Sequence, residues 1–115
     1  MVVDNEQART DQLFHALSDA TRRDIVAVVL HDEQSVSQLA RRYPMSFAAI
    51  HKHVAVLERA ELVIKQRRGR EQLVRANADA LRRVHDLLDG IEAVWRDRLD
   101  RIEAILPNDN EGAQP

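Results

Sequence analysis

The fold is decided by residues 45–63, which read MSFAAIHKHVAVLERAELV. Ser46 offers a side-chain oxygen that can cap the first turn of a helix. Apolar residues then recur at the i, i+4 and i+7 spacing of one buried helix face, at Ile50, Val54 and Leu57. The pattern predicts a helix over residues 47–60 with one buried side and one exposed side.

A shorter helix is expected just before this one. Residues 35–40 read SVSQLA, in which Ser35 and Gln38 have the spacing of a capping box, although Ser37 is an equally plausible cap. Pro44 ends this helix, because the residue before a proline disfavours the α region. Two short helices joined by a turn of about four residues form a helix-turn-helix pattern.

A β-hairpin is predicted directly after the helix-turn-helix. Residues 62–64 are aliphatic and suit a strand, and residues 72–76 alternate polar and apolar side chains as a return strand. The polar turn between them holds Arg67, Arg68, Gly69 and Arg70. A hairpin in this place is the wing of a winged-helix domain. The chain has only three Gly and three Pro, which argues against a turn-rich all-β fold.

Two further helices are expected at the N-terminal side. Apolar spacing predicts the first over residues 9–17 and the second over about residues 20–30, with Ser18 or Asp19 as the cap of the second. Residues 1–8 are expected to form a flexible arm.

The last predicted helix is the longest, over about residues 78–106. Its apolar residues follow a nearly heptad spacing, at Leu81, Val84, Leu88, Ile91, Trp95, Leu99, Ile102 and Leu106. About 28 residues at 1.5 Å each give roughly 42 Å, which exceeds what a small domain can cover. We therefore expect the same helix of a second copy to cover it, although packing within one chain is the alternative. The expected dimer interface consists of Leu13, Phe14, Leu17, Val84, Leu88, Ile91, Trp95, Leu99 and Ile102.

Composition and charge limit the class of protein. The 115 residues suit one domain, expected over residues 9–106, with a disordered tail over residues 107–115. The chain has no Cys, which excludes disulfides and thiolate metal sites. It also has no long apolar stretch and no signal-like N-terminus, so we expect a cytoplasmic protein. Residues 41–75 carry nine basic and three acidic residues, a net charge of +6 within a chain of net charge −2, which favours a polyanionic partner.

Three segments together resemble the ArsR-type winged-helix transcriptional repressors. They are LFHALSDATRR at 13–23, with Ala20 where the family usually has proline, the segment 35–40, and the segment 45–63. The resemblance extends from Leu13 to Leu106, about four-fifths of the chain. It implies a mainly α fold with a small β-hairpin wing, in the order of four helices, two strands and a long fifth helix, dimerising through the first and last helices. It also implies a homodimer whose recognition helices enter successive major grooves of double-stranded DNA, at half-sites about 34 Å apart in a pseudo-palindromic operator.

The exposed side of the 47–60 helix is predicted to read the bases. The candidates are Ser46, Phe47, Ala48, His51 and Lys52. Lys52 suits a guanine edge or a phosphate, and Phe47 and Ala48 suit apolar contacts such as a thymine methyl group. Packing within the turn is the alternative for Phe47. His53 is expected to be structural or to contact phosphate.

Arginines elsewhere are candidates for the DNA backbone. Arg67, Arg68 and Arg70 on the wing suit phosphates and narrow minor grooves, unless they only solvate the turn. Arg41 and Arg42 are expected to contact phosphates. Arg22 and Arg23 suit either phosphates or a salt bridge to Asp19 or Asp24.

Other functions have weaker support. His85, Asp89 and Glu92 fall at i, i+4 and i+7, but a solvated helix face explains them better than a metal site, so we expect no metal and no cofactor. The sequence does not identify an effector. It has no glycine-rich phosphate loop and no evident catalytic constellation, so we do not expect an enzyme. A winged helix that docks another protein without specific DNA binding is the alternative, and the basic centre argues against it.

Overall fold

A computed structural model describes the backbone of residues 2–106 and the side chains of residues 5–106. The elements are α1 (Val2–Leu17), α2 (Ala20–His31), β1 (Gln34–Ser35), α3 (Val36–Ala40), α4 (Phe47–Arg59), β2 (Val63–Arg68), β3 (Glu71–Ala76) and α5 (Ala78–Ile105). This order confirms the predicted winged helix-turn-helix, mainly α with a small β wing. The chain divides into two compact units after Arg82.

Two elements differ from the prediction. Helix α1 begins at Val2 and not near Arg9, so the segment expected to be an arm belongs to the helix over residues 2–8. The prediction began at the first apolar residues, but neither Gly nor Pro interrupts the polar residues before them. Strand β1 was not predicted, yet Gln34 and Ser35 pair with β3. Two residues are too short to show an alternating pattern, so only this pairing defines the strand. The predicted tail at 107–115 lies outside the described residues.

The core of the first unit lies between α1, α2, α3, α4 and the three-stranded sheet. Its fully buried large side chains are Ile25, Leu39, Ile50, Val54, Leu57, Leu62, Val63 and Val74. Three side-chain caps begin the helices around this core: Asp19 for α2, Ser35 for α3 and Ser46 for α4. Ser35 and Gln38 form the complete capping box, which settles the choice between Ser35 and Ser37.

The end of α4 sets the direction of the hairpin. Glu61 has a φ of 63°, the left-handed conformation that usually takes glycine. The Leu62 N–H donates to the Leu57 carbonyl at 3.0 Å and the Glu61 N–H to the Glu58 carbonyl at 2.9 Å. These two bonds form a Schellman motif, which ends the helix sharply and turns the chain into β2.

The wing is the hairpin of β2 and β3, and its turn is tight. Arg68 pairs with Glu71, so only Gly69 and Arg70 form the loop. Gly69 has a φ of 63°, and a positive φ at the first loop position fits a type II′ turn. The strands therefore run further than the sequence pattern indicated, and they include Arg67 and Arg68.

Helix α5 leaves its apolar side uncovered in the single chain. From His85 to Leu106 every described residue is exposed. The exposed large apolar residues are Leu87, Leu88, Ile91, Val94, Trp95, Leu99, Ile102, Ile105 and Leu106. At 100° per residue they form one broad face, and Asp89, Arg96 and Asp100 lie on the opposite side.

Candidate nucleic-acid interface

Helix α4 presents its N-terminal half as one exposed face. The buried side chains of Ile50, Val54 and Leu57 fix the rotation of the helix about its axis. Four residues in the first two turns are exposed, and we call them the recognition face: Phe47, Ala48, His51 and Lys52. At 100° per residue, Phe47 and His51 lie beside the buried row at the N-terminal end of α4, and Ala48 and Lys52 lie further round the helix, away from that row. The structure thus brings these predicted residues together on one surface.

The fifth predicted residue of this group, Ser46, is exposed and also caps the helix, as the sequence indicated. The Ser46 Oγ accepts a hydrogen bond from the Ala49 N–H at 3.1 Å, so its hydroxyl caps α4. Helix N-termini carry partial positive charge and favour anions, which suits a phosphate near this end of α4.

His53 lies on another side of α4, toward α2. Its Nδ1 is 3.2 Å from an Arg22 guanidinium nitrogen and 4.0 Å from an Asp19 carboxylate oxygen. The ring is only 20% exposed. The structural interpretation of His53 therefore fits the contacts better than the phosphate interpretation.

Arg22 joins the end of α1 to α4. Its Nε donates to the Ala16 carbonyl at 2.8 Å and a second guanidinium nitrogen donates to the His15 carbonyl at 3.2 Å. The last carbonyls of a helix lack intrahelical partners, and a cation at this end also complements the helix dipole. The sequence suggested a phosphate contact or a carboxylate partner, and the structure shows a helix C-cap.

Arg23 makes a similar contact with a single bond. One of its guanidinium nitrogens donates to the Leu17 carbonyl at 2.8 Å. The carboxylate of Asp24 instead accepts the Tyr43 hydroxyl at 2.6 Å. Burial first, and this hydrogen bond second, raise the pKa of Tyr43 to about 12.

Asp19 is held by the backbone of α2. Its carboxylate accepts the Arg22 N–H at 3.0 Å. This bond is the largest cause that lowers the pKa of Asp19 below its ordinary value. The charged form of Asp19 is therefore the one that stabilises the start of α2.

The wing exposes three arginines, as the sequence predicted. Arg67, Arg68 and Arg70 are all exposed. Arg68 lies 3.8 Å from the carboxylate of Glu33, a neighbour that the sequence analysis missed. Only the pairing of β1 with β3 brings Glu33 near the wing, so no local signal was available.

The basic charge of residues 41–75 is not all available to a partner. Lys65 lies 3.4 Å from Glu58, and its side chain is only 17% exposed. Lys52, in contrast, is exposed on the recognition face. Arg41 and Arg42 are exposed just after α3, on the turn that leads into α4. Most exposed cations of this segment therefore lie on the recognition face, on the wing and on the turn before α4, and Arg59 is exposed in the last turn of α4.

Known proteins match this chain in sequence as well. The model of the bacterial regulatory protein arsR family matches residues 19–65. The HTH-type transcriptional regulator Rv2034 of Mycobacterium tuberculosis is 34% identical over 79 residues, which cover 69% of this chain and 74% of that protein. The chain belongs to the ArsR family.

Solved structures share the fold. An ArsR-like transcriptional regulator from Rhodococcus sp. RHA1 is 36% identical, with a TM-score of 0.77, over 90% of this chain and 98% of that one. The homodimeric winged helix-turn-helix DNA-binding domain of Mb0332 from Mycobacterium bovis is 20% identical, with a TM-score of 0.65, over 78% of this chain and 83% of that one. This ArsR-family chain is therefore a DNA-binding transcriptional regulator. The matching family is one of bacterial regulatory proteins, and the relative Rv2034 is a transcriptional regulator.

The residues predicted for the dimer interface of this ArsR-family chain differ in how exposed they are in the single chain. Leu13 is only 4% exposed and belongs to the core of its own chain, so the structure removes it from that surface. Leu17 and Val84 are half-buried. The others remain exposed: Phe14, Leu88, Ile91, Trp95, Leu99 and Ile102. Leu13 shares the helical spacing of its neighbours, so its burial was not evident from the pattern.

The described residues also bear on metal binding and on membrane-spanning helices. They contain no group of three or more His, Cys, Asp or Glu side chains placed to hold a metal ion. Glu92, one of the three residues at metal-like spacing, pairs with Arg96. No helix in the described part of the chain is both long and apolar enough to span a membrane.

Proposed function

We propose that this ArsR-family regulator is a homodimeric repressor that binds a pseudo-palindromic operator, including one in its own promoter. The main support for this proposal is the recognition face, where Lys52 is exposed beside Phe47, Ala48 and His51. A lysine donates to guanine O6 and N7 or to phosphate, and the apolar side chains of Phe47 and Ala48 can contact a thymine methyl group. Arg41, Arg42 and the wing arginines supply backbone contacts that are independent of sequence.

The apolar face of α5 supports the homodimer. Ile91 is 60% exposed and Trp95 54% exposed in the single chain, which is unusual for a row of large apolar residues. A second copy of α5 is self-complementary under two-fold symmetry and would cover this row. The Mb0332 domain, which shares this fold, is homodimeric, which supports a dimer but not a particular interface.

DNA binding is tested by fluorescence anisotropy with the duplex upstream of the protein's own gene. A scrambled duplex of equal length is the control, over about 50–200 mM salt. We expect tighter binding to the upstream duplex, and an affinity loss of about 10³ to 10⁵ over this range if six to ten phosphates are contacted. Absence of binding to either duplex at the lowest salt would contradict the proposal and favour the protein-docking alternative.

Two lysines form a matched pair for the site. Lys52→Ala should weaken binding to the operator and change the preferred sequence, because Lys52 lies on the recognition face. Lys65→Ala should bind like wild type, because Lys65 is turned toward Glu58. Equal effects of the two changes would contradict the assignment of the recognition face.

The dimer is tested with charges on α5. Ile91→Glu with Leu99→Glu should yield a monomer in analytical ultracentrifugation, because both side chains are exposed in the single chain and the change spares its core. Asp100→Lys on the opposite side should remain a dimer. A stable dimer of the double glutamate variant would refute the interface.

A further inference from the structure

One aromatic residue on the recognition face is not used by the chain's own core. Phe47 is 53% exposed at the first position of α4. A buried phenylalanine contributes about 1.5–3 kcal/mol to folding relative to an exposed one, and Phe47 forgoes much of that contribution. The alternative that Phe47 packs within the turn therefore explains its position poorly.

Phe47 lies beside the aromatic ring of its neighbour one turn later. The ring centroids of Phe47 and His51 are 6.2 Å apart with an interplanar angle of 39°. This distance lies in the range of favourable aromatic pairs. The pair forms one row along the recognition face, and Ala48 and Lys52 form the next row. Because Ala48 is small, it leaves Phe47 as the projecting apolar group of the face.

The chemistry of the groove limits what Phe47 can contact. The ring has no hydrogen-bond donor or acceptor, so it does not suit a phosphate or a polar base edge. In the major groove the apolar group on the base edges is the thymine 5-methyl group. We infer that Phe47, supported by the His51 ring, contacts the 5-methyl group of a thymine in each operator half-site. This inference rests on the proposed function, because it needs sequence-specific binding through the recognition face.

The experiment first selects preferred sites from a random pool of duplexes with the full-length protein. Each thymine of a selected half-site is then replaced by deoxyuridine, which removes only the methyl group and keeps the pairing edge and the charge. Burial of one methyl group corresponds to about a fourfold change in affinity. We expect one position at which uracil weakens wild-type binding about fourfold, and about 15-fold when both half-sites are changed.

The variants assign the effect to one side chain. Phe47→Ala should bind the thymine and uracil duplexes equally at that position. Leu30→Ala is the matched control, because Leu30 is 52% exposed on α2, outside the recognition face, and it should keep the full discrimination. The circular dichroism spectrum of each variant checks that it is folded.

The outcomes separate two failures. If no sequence is enriched, the proposed function fails and this inference fails with it. If sites are enriched but uracil has no effect at any position, only the inference is overturned. Discrimination that persists in Phe47→Ala would also overturn it, because another side chain would then read the methyl group.

Discussion

Replacement of Arg22 by alanine should lower the folding stability of the free protein, which the loss of a DNA contact alone would not do. The side chain donates to the carbonyls of Ala16 and His15 and lies 3.2 Å from His53. A hydrogen bond from a charged group contributes about 1.5–3 kcal/mol, and the contributions overlap because all three bonds share one guanidinium. Since the site is partly exposed, water can satisfy some of the carbonyls after the arginine is removed, which reduces the loss. We expect a loss of about 2–3 kcal/mol, which lowers Tm by roughly 10 °C in a chain of this size.

Thermal and urea unfolding followed by circular dichroism measure this loss. Arg22→Lys should recover little of it, because lysine keeps the charge but not the planar fork that reaches two carbonyls. Arg23→Ala is the control, because Arg23 makes a single bond to the Leu17 carbonyl, and it should cost about 1 kcal/mol. If Arg22→Ala unfolds like wild type yet loses DNA affinity that Arg22→Lys restores, the helix-capping role is refuted and the phosphate contact is correct.

Three other predictions concern charge and protonation. Arg68→Ala with Arg70→Ala should weaken binding to operator and scrambled DNA alike. Because each wing of the homodimer loses two arginines, the salt slope measured by anisotropy should fall by up to about 3.6. An unchanged slope would contradict wing contacts. The single tyrosine, Tyr43, should form its phenolate near pH 12 in an absorbance titration, because its pKa is raised. Its stabilising hydrogen bond to Asp24 is therefore present below the ordinary pKa of 10.0 and is lost as pH rises through the folded pKa. Asp24→Asn should lower the pH of this titration. Asp19 has a lowered pKa, so its contribution to folding stability is present above its ordinary pKa of 3.8 and is lost as pH falls through its folded pKa. Asp19→Asn should keep the helix cap but reduce the loss of unfolding free energy at acid pH.

Local signals predicted α4 and its surroundings well. A capping serine, a buried i, i+4, i+7 row and a following aliphatic segment each act within a few residues, so they are visible in sequence. Ser35 with Gln38 and Ser46 with Ala49 confirm this at the level of single hydrogen bonds. The start of α1 was missed because the helix continues through polar residues that lack apolar spacing.

Contacts between distant segments were not predictable in the same way. Glu33 approaches Arg68 only because β1 pairs with β3, and Arg9 reaches Glu61 at 2.7 Å only because α1 lies beside the end of α4. Each such pair joins residues far apart in sequence, and many arginines and carboxylates compete for the same partners. Charge and spacing therefore indicate which residues could form ion pairs, but they do not show which pairs form.

The sequence by itself determined the order of the five helices and of the hairpin, and the apolar row of α5, because periodicity and capping are properties of neighbouring residues. The tertiary structure decided which of the candidates are available. It turned Arg22 and His53 inward, placed Lys65 against Glu58, buried Leu13 and left Phe47 exposed beside His51. The reason is that burial and partner choice depend on how helices pack in space, which no local pattern specifies.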